Sequence, residues 1–219
     1  MKAILSHLLI LASSATLLAC AVQSEILPRS TQATAEPVAS DTLRAPEEFA
    51  HISNRKERSV ALFTEAAKVI ESPRCMNCHP VSRTPTQGDD MHPHVPYLQA
   101  GPEGHGPDGL TCAACHQATN VATYSQPIAT IPGNAHWALA PASMAWQGKS
   151  KAEICAQLKD KRRNGNRSLA QISSHMEEDS LVGWAWDPGE PRKPAPGSQA
   201  EFAKLIEAWI ASGAACPTA

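Results

Sequence analysis

Within residues 54–71, apolar side chains recur at Val60, Phe63, Ala67 and Ile70, at spacings of three and four. That period puts them on one face of a helix. Pro73 stops the pattern just before the first cysteine pair, because proline breaks the hydrogen-bond ladder inside a helix. Three later helices announce their starts. Ser150-Lys-Ala-Glu153, Ser168-Leu-Ala-Gln171 and Ser198-Gln-Ala-Glu201 each carry a Ser followed three residues later by Glu or Gln. Such a pair satisfies two first-turn N–H groups reciprocally. The last start runs on as Phe202, Leu205, Ile206, Trp209 and Ile210, a one-sided apolar stripe. Residues 80–110 hold Pro, Gly, Asp and His with no period, and residues 184–197 are Pro-rich. Both read as irregular chain, and long loops inside a compact domain are usually functional. No strand hairpin is visible. The expected fold class is mainly α: a small domain of four or five helices with long irregular Pro-rich loops.

The first residues follow a different pattern. Residues 1–19 have one Lys, no acid and two apolar patches, as in a secretory signal too short for a membrane span. They end in Leu17-Leu18-Ala19-Cys20, which resembles a bacterial lipobox. The resemblance implies lipidation at Cys20 and a place on the periplasmic face of a membrane; ordinary cleavage after small residues is the alternative. Lipid tails would then anchor the chain without a spanning helix. Residues 21–47 are Ala, Ser, Thr, Pro and charge without period. They read as a flexible tether, with an ordered arm as the alternative. The expected organisation is a signal over 1–19, lipidated Cys and tether over 20–47, and a folded domain over 48–219.

Composition narrows the function. The 219 residues are 42% hydrophobic with 18 Pro and a net charge of −2. The core is affordable for one domain, and no whole-chain charge attracts nucleic acid or anionic lipid.

Candidate chemistry lies in Cys75-Met-Asn-Cys78-His79 and Cys112-Ala-Ala-Cys115-His116. Both are C-x-x-C-H, the attachment pattern for c-type haem. Two thiols at that spacing add across the two haem vinyl groups, and the adjacent His binds the iron from one side. Composition alone gives such a pattern about 0.01 times in this chain. The rivals are one zinc held by four thiolates and two thiol–disulfide sites, although no βαβ pattern surrounds either pair. Cys155 and Cys216 remain. In an exported chain they are expected to form a disulfide, the alternative being two separate buried thiols.

Each iron needs a second axial ligand or stays open. His94 lies fifteen residues past His79 in a loop without its own fold, and His175 follows Leu169 and Ile172 on one helical face. These are the first choices, with His136 and Met144 as runners-up. His51, His92 and His105 read as exposed loop residues; Met91 and Met176 complete the supply. A second His gives a low-potential carrier and a Met raises the potential. The Trp residues read as apolar walls for the rings, and Lys159-Asp-Lys-Arg-Arg163 as a solvated helix end.

The segments RCMNCHP (74–80), PTQGDDMHPHVP (85–96), LTCAACHQATN (110–120), HWALAPASMAWQGKSKAEIC (136–155), RNGNRSLAQISSHMEEDSLVGWAWDPG (163–189), RKPAPGS (192–198) and GAACP (213–217) together carry a family likeness. They resemble small exported dihaem cytochromes often labelled isoquinoline 1-oxidoreductase subunit. The resemblance implies two covalently bound haem c groups, a molybdenum hydroxylase-type electron donor and a respiratory acceptor. It raises His94, His136, Met144 and His175 as ligands without choosing among them. It implies no molybdenum site, since the chain is too small and lacks iron–sulfur ligand patterns. A thinner likeness to the small dihaem subunit of periplasmic nitrate reductase, with a His about fifteen residues past its first motif, favours His94. The expected function is outer-sphere electron transfer, with no catalytic residue of its own. The competing class is a haem enzyme with one open iron that reduces peroxide or another small oxidant, served by His92 or His105.

Overall fold

A computed structural model describes residues 41–124 and 128–218. The expected signal, Cys20 and the tether as far as residue 40 lie outside the described residues. The chain is mainly helical. Its helices are α1 (Arg55–Ile70), α2 (Pro73–Met76), α3 (Lys151–Lys159), α4 (Leu169–Glu178), α5 (Ser180–Gly183) and α6 (Gln199–Ala211). The expected count of four or five falls short by the one-turn helices α2 and α5, which are too short to show a period. Strands β1 (Thr86–Gln87) and β2 (His92–Pro93) pair antiparallel, as do β3 (Val121–Ala122) and β4 (Thr130–Ile131). These ladders correct the expectation of no hairpins. At two residues per strand, they leave no alternation to read. None of the described helices is long and apolar enough to cross a membrane.

Local chemistry sets the helix starts. The Asn54 side chain accepts from Lys56 N and Glu57 N and so opens α1. Ser150 with Glu153 and Ser168 with Gln171 form full capping boxes. At α6 only half the box forms. Ser198 accepts from Glu201 N, but the Glu201 carboxylate turns to the Ser198 hydroxyl instead of its N–H.

Packing then joins the ends of the chain. The start of α1 lies against the end of α6: Arg55 Nη2 donates to Ala211 O at 2.8 Å and Ser59 Oγ to Trp209 O at 3.1 Å. Trp209 is fully buried, with its ring 5.1 Å from that of Phe63. Leu62, Ile70, Ile154, Leu158, Phe202, Leu205 and Ile206 fill the same core. Residues 41–47, read from sequence as the end of the tether, touch this body. Leu43 packs on the core, Arg44 N donates to the buried Glu65 carboxylate at 3.0 Å, and Gly197 N donates to Asp41 O.

The core is unevenly spread along the sequence. Between Met76 and Met144, Pro80 and Ala100 are the only fully buried apolar side chains among the described residues. Val81, Met91, Val95, Tyr97, Leu110, Val121, Tyr124 and Ile128 are large, apolar or aromatic, and exposed in this same stretch. The helical body has no counterpart among its described residues.

Cys155 in α3 and Cys216 beyond α6 form the expected disulfide, across a sequence separation of 61. It ties α3 to the chain end that Trp209 holds through its Nε1 bond to Ala215 O. Replacing both cysteines by Ser releases that loop. Urea unfolding is expected to register a loss of about 2–4 kcal/mol, with the helical circular dichroism of the native state retained.

Candidate functional site

The two C-x-x-C-H motifs sit on different supports. The first begins on α2, where Pro73 supplies the fixed φ of a first helical position. Its intervening residues Met76 and Asn77 are buried, as is Arg74 just before it. Asn77 Nδ2 and Arg74 Nη2 both donate to Gly88 O at 2.9 Å, while Gln147 Nε2 donates to Met76 O at 3.0 Å. The second motif opens with a single 3-10 turn, Cys112–Ala114, whose residues are not buried. Cys112 N donates to His105 O at 2.7 Å.

Both histidines are nevertheless held alike. His79 Nδ1 lies 2.6 Å from Met144 O, and His116 Nδ1 lies 2.7 Å from Pro132 O. A carbonyl can only accept, so each Nδ1 carries the proton and each Nε2 keeps its lone pair. Each ring also stacks on a tryptophan. His79 lies on Trp146 with centroids 3.5 Å apart and planes 7° apart; His116 lies on Trp137 at 4.5 Å and 14°. Fixed orientation with a free Nε2 is the state a metal-ligating imidazole needs.

The supports of these contacts reach far along the chain. Trp146 N donates to His79 O at 2.9 Å, so that the stack and the backbone bond reinforce each other. Trp137 meets the edge of Trp184 at 4.9 Å, and Trp184 Nε1 donates to Asn120 Oδ1 at 2.9 Å. The same amide oxygen accepts from Gly133 N at 3.0 Å. A Cβ on Gly133 would collide with the carbonyl oxygens of Gln117 and Thr119. This glycine therefore lets Pro132 approach His116.

Electrostatics follow from burial. Burial pushes the Cys75 thiol up to about 12 and the Cys78 thiol up to about 11, and it also raises Cys112. The two motifs are neighbours in space: Cys112 Sγ lies 3.9 Å from Gly104 O, which accepts from Leu139 N, and the next residue, Ala140, donates its N–H to Cys78 O. Burial lowers His79 to about 4, against the bond to Met144 O, and lowers His116 as well. The Arg74 side chain is 1% exposed and paired with Asp89 at 2.6 Å, but its Nε and Nη1 have no partner.

The remaining candidates divide between the two centres. His94 lies beside His116, with ring centroids 5.9 Å apart, and its Nδ1 is 2.8 Å from Pro96 O. His175 is close enough to His79 for its charge to act there, and its Nδ1 is 3.0 Å from Asp179 Oδ2. Met144 is buried, with its carbonyl on His79. His136 is exposed. With His105, His116 and Trp137 it lines an open cleft of about 450 Å³. His92 pairs with Asp90 and His51 with Glu48 O, both at the surface. Among the described residues, no three His, Cys, Asp or Glu side chains converge as ligands of one ion. Sequence reasoning missed the carbonyls of Met144 and Pro132 and the carboxylate of Asp179. The spacing of Asp179, four residues after His175, is a helical signal for the last of these.

No family model, curated protein or solved structure matches this chain.

Two measurements check this geometry. In the chain without a bound metal, His79 stays neutral down to about pH 4, against 6.5 when unfolded. The unfolded state then binds the extra proton, so this contribution to stability is full above about pH 6.5 and lost progressively down to about pH 4. Stability against urea is expected to fall across that window, and His79→Asn to flatten the fall. Gly133→Ala is expected to separate Pro132 from His116, seen as loss of the Nδ1–H signal of His116 in nitrogen-15 NMR while that of His79 persists.

Proposed function

We propose that this chain is a dihaem c-type cytochrome that carries electrons. The observation that carries the reading is the matched pair of histidines. Each follows a C-x-x-C, each is locked by a carbonyl on Nδ1, and each presents Nε2 from a tryptophan stack. A zinc–thiolate module would need neither histidine so prepared.

Cys75 and Cys78 would hold one haem through thioethers, and Cys112 and Cys115 the other. Bound haem iron supplies a one-electron couple. His79 and His116 are the proximal ligands. Cys75 and Cys78 are half-buried, and the burial that raises both thiols favours their neutral, less reactive form before attachment. The exposed apolar side chains of residues 81–128 are the surface that two apolar rings would cover.

Distal ligands follow from proximity. His94 would serve the His116 centre, because its ring lies 5.9 Å from that of His116. His175 serves the His79 centre. Met144 is not assigned there, because its carbonyl already holds His79 Nδ1. His136 adjoins Trp137 beside His116, which makes it the reserve for that centre. Filled coordination makes the chain a carrier. Following the family resemblance, electrons come from a molybdenum hydroxylase-type dehydrogenase and pass to the respiratory chain. A lipid on Cys20 would keep the carrier at a periplasmic membrane face.

The second reading, a haem enzyme with one open iron, draws on the cleft beside His116, where His105 and His136 could move protons. Spectra of the exported, haem-loaded protein decide. The carrier reading expects covalent haem stain, two haems per chain and two low-spin signals by EPR, unreactive towards carbon monoxide. His94→Ala and His175→Ala are each expected to turn one haem high-spin, and Met144→Leu neither. A high-spin centre with rapid carbon monoxide binding in the unaltered protein selects the enzyme. Absence of covalent haem refutes both.

A further inference from the structure

Of the four imidazoles assigned to the two centres, three share one kind of support. His79, His116 and His94 give their Nδ1 protons to the backbone carbonyls of Met144, Pro132 and Pro96. His175 differs: its Nδ1 faces a carboxylate, Asp179 Oδ2, at 3.0 Å. The carboxylate is fixed from behind. Asp179 follows the last residue of α4 and caps α5, where its Oδ1 accepts from Leu181 N at 2.8 Å and Val182 N at 3.4 Å. One oxygen is therefore anchored to backbone and the other aimed at the imidazole one turn earlier. Arg167 is the other charge felt at His175, and it opposes Asp179.

A carboxylate is a stronger acceptor than a carbonyl. It pulls the Nδ1 proton, raises the electron density on Nε2 and makes the imidazole a better donor to a metal. A better donor favours the more highly charged, oxidised iron, and second-shell hydrogen bonding is one of the main levers on haem potential. We propose that Asp179 is a positioning residue that sets the His79–His175 centre at a lower potential than the His116–His94 centre. The inference rests on the proposed function and deepens it. The two centres are made unequal by one side chain. A single electron entering the chain settles on the His116 centre, which is also the one beside the open cleft.

The test is a spectroelectrochemical titration of the haem-loaded protein with EPR of each oxidised form, comparing the unaltered chain with Asp179→Asn and Asp179→Glu. Asn caps helices as well as Asp does, so α5 is kept while the charge is removed. The expected result in Asp179→Asn is a rise of the lower midpoint alone, by about tenfold in the oxidised-to-reduced ratio, which is 59 mV for one electron. The g-values of one low-spin haem should move with it, and Asp179→Glu should return both readings towards those of the unaltered chain. Should Asp179→Asn turn one haem high-spin, recovery of the low-spin signal in Asp179→Glu supports positioning through the charge, and no recovery counts against it. An unmoved pair of midpoints with both haems low-spin overturns the inference, as does a shift of the higher midpoint. Absence of covalent haem from the unaltered chain overturns the underlying reading instead.

Discussion

Apolar burial is concentrated in one part of this chain, and everything else follows from that constraint. The α1–α6 pair and the helices against it hold nearly all the buried hydrocarbon, centred on Phe63 and Trp209. Among the described residues between Met76 and Met144, the only buried apolar side chains are Pro80 and Ala100. Ordering each backbone residue costs about 1–2 kcal/mol, and the hydrophobic effect is the main term that offsets it. Such a stretch, with two-residue ladders and scattered hydrogen bonds, cannot balance that cost from its own side chains. On the dihaem reading, two apolar rings would supply the burial that these side chains lack.

The same constraint explains why long-range polar contacts do so much here. Met144 reaches back 65 residues to His79, Trp184 reaches 64 to Asn120, and Arg192 reaches 62 to Thr130. Each bond fastens the core-poor stretch to a helix or to the chain just before one. Asn120 makes three such contacts at once, since it also holds Asp187 O and Gly133 N. The histidine supports are thus products of the whole fold, although the motifs themselves are five residues long.

That difference in range separates what was legible in the sequence from what was not. The starts of α1, α3, α4 and α6 are written in local side-chain chemistry, and the structure begins each within a residue or so of its Asn or Ser. The half-formed box at Ser198 marks the limit of such reading, because Glu201 has two partners of similar chemistry within reach. The Cys155–Cys216 pair was legible by elimination, on the expectation of an exported chain. The two C-x-x-C-H motifs were legible because each is complete within five consecutive residues. The tryptophan stacks, the carbonyls on Nδ1 and the approach permitted by Gly133 were not, since each depends on residues brought together only after folding. The pairing of His94 with His116, not with the nearer motif in sequence, is of the same kind.

The unequal supports of the two cysteine pairs bear on how the molecule is put together. Arg74, Met76 and Asn77 seat the first pair against finished core, while the second pair stands on an open turn in the core-poor stretch. A thiol pair on fixed backbone has its spacing set as soon as the helices have packed. A pair on a loose turn gains its geometry from what is placed beside it. On the dihaem reading, a ring at the first pair would meet a wall already built, whereas a ring at the second would itself have to supply much of the wall around it.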